Sequence, residues 1–197
     1  MATVFDDLLL KGVRQGELPA RTQQSREWFR NQARTSNVRG DRGASQLVRD
    51  KSRFANRALL GGMYFFFYDP KTKAKLPYYD RFPLIFKVGQ SRGSFEGINM
   101  HYLPYRLRAR LMDALYETAN NKRYDESTRL KLSYDVLKAA SKYKEFKPTY
   151  KKYLTSQVRS RFIEINASEW DIALFLPVER FEKASKNTVW RDSRNAI

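Results

Sequence analysis

The sequence contains no cysteine. Disulfides and thiolate metal sites are thereby excluded, and the chain suits a reducing compartment such as the cytosol. Histidine occurs once, as His101, ahead of Leu103-Pro104 at the end of an expected strand. So placed, it reads as a hydrogen-bonded structural residue rather than a general base, which needs a proton to take and a group to orient it. Nine glycines occur, yet none builds a phosphate loop, because Gly61-Gly62 lacks the lysine and helix that must follow. Carboxylates are few, and none cluster as magnesium ligands do. The nearest approaches are Asp69 beside Lys71 and Lys73, which reads as a turn, and Glu164 with Glu169 and Asp171, spread over a strand and a helix. No catalytic residue, metal site or cofactor is expected. Long apolar runs are missing as well. At a mean hydropathy of -0.68 no stretch can span a bilayer, and "MATVFDDLLLKG" puts two aspartates where a secretory leader needs bases.

What the chain has in abundance is positive charge: 38 Lys and Arg against 21 Asp and Glu, a formal +17 over 197 residues. Repulsion on that scale opposes a compact state, and a polyanionic partner relieves it; nucleic acid is the commonest one. Solubility, or docking on an acidic protein, is the blander alternative. The densest basic run lies between residues 138 and 161, where Lys138, Lys142, Lys144, Lys147, Lys151, Lys152, Arg159 and Arg161 face only Glu145 in opposition. Those bases, with Arg106 and Arg110 on the preceding helix, are the expected contacts to a DNA phosphate backbone, with little sequence preference. Tyr143, Phe146, Tyr150 and Tyr153 are interleaved with them. Rings in such a groove can meet bases, but an amphipathic segment with its rings turned inward accounts for them better.

Three stretches differ in character. Residues 1–60 are rich in arginine and poor in large apolar side chains. They read as an extended or helical basic arm, with short helices near 2–12, 22–34 and 44–57, whose Arg30, Arg34, Arg49, Arg53 and Arg57 bind a partner. Residues 61–187 read as a globular α+β domain. "MYFFFY", "PLIFKVGQ" and "SFEGINMHY" make a small twisted antiparallel sheet resembling a half-barrel, with tight turns such as Asp69-Pro70-Lys71-Thr72. Helices follow over 105–117 and about 126–142, the first with Arg106, Arg108 and Arg110 fanning outward. Then come a short basic helix at "TYKKYLTSQ", a strand at "RSRFIEI" and a helix through "EWDIALFL" capped by Asn166 or Ser168. Residues 188–197 read as a tail, polar apart from Val189, Trp190 and the terminal isoleucine. Aromatics fill both faces of "YFFFYD", so the run is either a stacking platform for bases or doubly covered core; glycines precede it and do not interrupt it, which favours core. Phe65, Phe67, Leu84, Phe86, Ile98 and Met100 are expected on one face, under the helices carrying Leu111, Leu115 and Leu137.

Four segments carry a resemblance: "GGMYFFFYDPKTKAKLPYYDRFPLIF", "GSFEGINMHYLPYRLRARLMDALYE", "RYDESTRLKLSYDVLKAASKYKEFKP" and "VRSRFIEINASEWDIALFLPVERFEKA". Over roughly residues 60–190 the chain resembles the DNA end protectors, minor virion proteins of T-even-like contractile-tailed bacteriophages. The resemblance implies a non-enzymatic virion protein, present in the host cytoplasm during assembly. It would bind the terminus of the packaged genome and shield it from host exonuclease, among other virion proteins and without a membrane. A structural role in the neck, tail or baseplate, with the basic arm wedged between acidic neighbours, remains open from the residues alone.

Overall fold

The computed structural model describes residues 3–18, 22–119, 134, 135, 137–139 and 144–196. Three helices open the chain: α1 (Val4–Arg14), α2 (Gln23–Thr35) and α3 (Gly40–Val48). Each of the first two is started by a threonine. Thr3 Oγ1 accepts the Asp6 N–H while the Asp6 carboxylate accepts the Thr3 N–H, a closed capping box, and Thr22 Oγ1 accepts from Ser25 N–H. The strands are β1 (Phe54–Ala55), β2 (Met63–Phe65), β3 (Tyr79–Asp80), β4 (Leu84–Ser91), β5 (Ser94–Asn99), β6 (Tyr150–Leu154), β7 (Phe162–Ile165) and β8 (Phe181–Glu182). Among them lie helices α4 (Tyr105–Ala119) and α5 (Trp170–Phe175), and α6 (Lys186–Asn195) closes the chain.

Six strands form one antiparallel sheet in the order β1-β7-β2-β4-β5-β6, and β3 pairs with β8 apart from it. The fold is α+β, as expected. Alternation sorts the side chains onto two faces. Met63, Phe65, Leu84, Phe86, Val88, Ile98, Ile163 and Ile165 point to one, where they join Leu111, Leu115 and Leu137 in the main core, with Phe67 packed at its margin. Phe66, Tyr68, Ile85, Phe95 and Tyr153 form a second, aromatic core on the other face. The chain leaving β6 covers that core on its way back to β7. Along this strap Arg159 N–H donates to Phe67 O (2.8 Å) and Asp69 N–H to Gln157 O (3.1 Å).

Three expectations change. "YKKYL" is not helical: β6 is an edge strand with Tyr153 opposite Phe95, because pairing with β5 outweighs a neutral local preference. The first 60 residues do form separated helices, but Phe5, Phe29, Ala33, Ala44 and Leu47 are buried in the same core as the sheet. Small residues and single rings suffice there because α2 packs closely along α5. Residues beyond 187 are not merely a polar tail. Ser185 caps α6, Val189 is buried, and Trp190 Nε1 donates to His101 O at 2.8 Å. Of the helix expected over about 126–142, residues 134, 135 and 137–139 are helical and the others lie outside the described residues.

Candidate nucleic-acid interface

The surface charge is set first by what is buried. Arg108 is fully buried in α4. Its Nε donates to Leu103 O (2.7 Å), and its terminal nitrogens donate to Leu174 O (2.6 Å), His101 O (3.3 Å) and Glu179 Oε1 (2.7 Å). Arg30 donates through Nε to Asp171 (2.6 Å) and through a terminal nitrogen to Asp113 (2.7 Å). Arg53 holds Glu169 with two parallel bonds of 2.6 and 2.8 Å and adds Asp50 at 3.0 Å. Three arginines thus engage five carboxylates, of which Asp171, Glu169 and Glu179 have buried side chains and Asp113 and Asp50 are partly exposed. Most of the remaining cations stay at the surface, where the formal charge of +17 leaves them in excess.

The expected arm contacts divide accordingly. Arg30 and Arg53 are not available to a partner, since each lies on a buried helix face or turn against its own acids. Arg34, Arg49 and Arg57 are exposed. Arg108 corrects the outward fan expected of it, while Arg106 and Arg110 do face solvent. In the basic run, Lys138, Lys147, Lys152, Arg159 and Arg161 are exposed. Lys151 is half-buried, its ammonium 4.2 Å from the Tyr102 ring centre, and burial lowers its pKa. Lys142, with Tyr143 and the side chain of Lys144, lies outside the described residues. Among the interleaved rings, Tyr153 is buried and Phe146 packs on the main core, as an amphipathic segment requires, while Tyr150 is exposed.

The carboxylates do not converge into a magnesium site. Glu164 is exposed on β7 while Glu169 and Asp171 face Arg53 and Arg30. Among the described residues no three metal-ligating side chains come together, and no helix is long and apolar enough to cross a membrane. His101 is fully buried, with Nδ1 2.8 Å from Asp80 Oδ2; Asn99 Nδ2 donates to the same oxygen (3.0 Å) and to Tyr153 OH (3.2 Å). That network fastens β3 to the aromatic core, which is a structural role.

One basic concavity joins residues that are far apart in sequence. Lys73, Arg81, Arg159 and Arg180 line a cleft of about 550 Å³ whose wall includes Phe67 and Tyr79. Of its cations only Arg159 belongs to the basic run. The others lie outside that run; β3 pairs with β8 from a hundred residues away, and nothing local signals the convergence.

The family model of the phage T4 terminal DNA protecting protein matches residues 5–193. The fold and its basic exterior therefore have a class: the chain belongs to this phage family, and the match includes the first 60 residues. No curated protein and no solved structure matches it.

Proposed function

We infer that this protein binds the terminus of a linear phage genome through its exposed bases and shields it from exonuclease. The family match over residues 5–193 carries the reading. The charge distribution supports it, since Lys147, Lys152, Arg161, Arg106 and Arg110 are exposed on a chain of formal charge +17. Phosphates are held by charge, and charge alone reads no sequence, so affinity is high at low salt and nearly independent of base order. The exposed Arg34, Arg49 and Arg57 are left for phosphate or for neighbouring virion proteins, with assembly in the host cytoplasm and final residence in the particle.

Two measurements test it. If about five phosphates are neutralised, log K falls against log salt with a slope of about -4 to -5. Linear duplex preincubated with the protein should outlast bare duplex under a double-strand exonuclease. Absence of binding at ~50 mM salt, or binding that leaves the ends as labile as before, would remove end protection as the function.

A further inference from the structure

We propose that the cleft between β3, β8 and the strap receives the terminal phosphate monoester of a DNA strand, with the terminal nucleotide against Phe67 and Tyr79. The inference rests on the end-binding reading and adds where the end is held and by which chemistry.

Shape argues for a strand end. At about 550 Å³ the cleft has the size of a small-ligand site. A phosphate within a duplex has a nucleotide on either side and lies on a convex backbone; a terminal phosphate has one free side and can enter a concavity. Charge argues for a monoester. Four cations meet three carboxylates, Asp69 and Glu182 in the wall and Asp41 beyond it. Asp69 is shared between Lys73 (2.9 Å) and Arg159 (3.9 Å), while Glu182 faces Arg81 at 3.4 Å. Arg180 is held at 2.6 Å by Asp41 from outside and lies 5.5 Å from the Phe67 ring centre. The net positive charge that remains attracts a terminal monoester, at roughly -1.5 to -2 near neutral pH, more strongly than a diester's single charge. Guanidinium forks also match phosphate oxygens in geometry.

The site is built before the ligand arrives. Arg81 N–H donates to Arg180 O (2.7 Å), Tyr68 N–H to Arg81 O (3.0 Å) and Arg159 N–H to Phe67 O (2.8 Å). The backbones of all three arginines are thereby fastened to one another or to the aromatic strand. Lys183 fixes the remaining wall. It is the one non-glycine described residue with positive φ, at 69°. Its ammonium donates to the carbonyls of Lys73 (2.6 Å), Ala74 (3.1 Å) and Leu76 (2.9 Å). A left-handed backbone at a lysine is costly, and here it holds the turn that presents Lys73. Backbones fixed in this way hold the roots of the cations in place, so only their side chains have to be ordered on binding.

The test uses the full chain and fluorescent hairpin duplexes with one blunt end, carrying a 5′-phosphate, a 3′-phosphate or hydroxyls only, beside a closed dumbbell with no end. A phosphate at one terminus should tighten binding about tenfold over the hydroxyl end at ~50 mM salt, the effect of added charge-assisted hydrogen bonds. The double variant Arg81→Gln/Arg159→Gln changes two solvent-facing side chains and should abolish that difference. Lys147→Gln/Lys152→Gln should weaken all four DNAs alike. End preference that persists without phosphate, or in the cleft variant, overturns the cleft and leaves end binding standing. Equal affinity for the dumbbell and every open duplex overturns the end-binding reading itself.

Discussion

Arg108 carries a full positive charge into the apolar interior, where every one of its nitrogens meets an acceptor and its plane lies 4.7 Å from the Tyr105 ring centre. Burial pushes the Glu179 carboxyl up, but Arg108, assisted by His101 and Lys186, pulls it below the ordinary 4.5. A carboxyl more acidic in the folded than in the unfolded chain stabilises the fold above the unfolded value. That contribution is lost as pH falls through the folded value. Arg108→Met leaves Glu179 buried with only Lys186, 3.8 Å away, beside it, and should cost up to about 3–5 kcal/mol at pH 7. In the variant burial weighs more heavily, the carboxyl moves upward from its position in the parent, and protonation relieves the strain. The stability gap between the two proteins should therefore shrink from pH 7 to pH 3 in denaturant titrations. A gap constant with pH would mean that Arg108 acts through packing alone. The inward turn had a signal in the sequence: Arg108, Leu111, Met112 and Leu115 share the spacing of one helical stripe. Arg106 and Arg110 fall off that stripe.

Among the elements, the aromatic run that begins in β2 and continues past its end serves two cores. Phe65 stacks on Phe82 at 5.0 Å within the main core, while Phe66 meets the edges or faces of Phe95, Tyr153 and Phe162 at 5.2–5.6 Å on the opposite side. Phe66→Ala should lower stability by about 3–5 kcal/mol and leave DNA affinity unchanged at temperatures where the variant stays folded. A base-stacking ring would behave in the opposite way, losing about 1–3 kcal/mol of binding with an unaltered melt. Calorimetry beside a DNA titration separates the two. This much of the fold was legible because period-two alternation and the Asp69-Pro70 turn are local facts. The edge strand β6 was not, since "YKKYL" has no preference strong enough to decide, and its partner β5 lies some fifty residues earlier. The cleft was hidden for the same reason. Its cations come from the β3 region, the strap and the approach to β8, and only the folded chain brings them together.

At the scale of the molecule, residues 1–60 raise the question of whether the chain is one unit or an arm on a domain. Composition argued for an arm, because large apolar residues are sparse there. Few are needed, however, when the contact is mostly ionic and closely packed. Arg30 reaches Asp171 on α5 and Asp113 on α4, and Arg53 reaches Glu169 just before α5. Removing residues 1–60 would leave Glu169 and Asp171, both about 3% exposed, without their cations. Burial already raises Asp171 despite Arg30, so the truncated chain would carry carboxylates it cannot keep ionised in place. It would also uncover the core facing Phe5, Phe29 and Leu47. The full chain should unfold in a single calorimetric transition, and a chain starting at Gly61 should be unfolded or melt far lower. Two resolved transitions, or a truncated chain as stable as the whole, would restore the arm as a separate element. The distinction matters for function. If the first 60 residues belong to the core, exposed Arg34, Arg49 and Arg57 are carried on a rigid surface. Arg49→Gln or Arg57→Gln should then weaken DNA binding or particle incorporation without altering the melt.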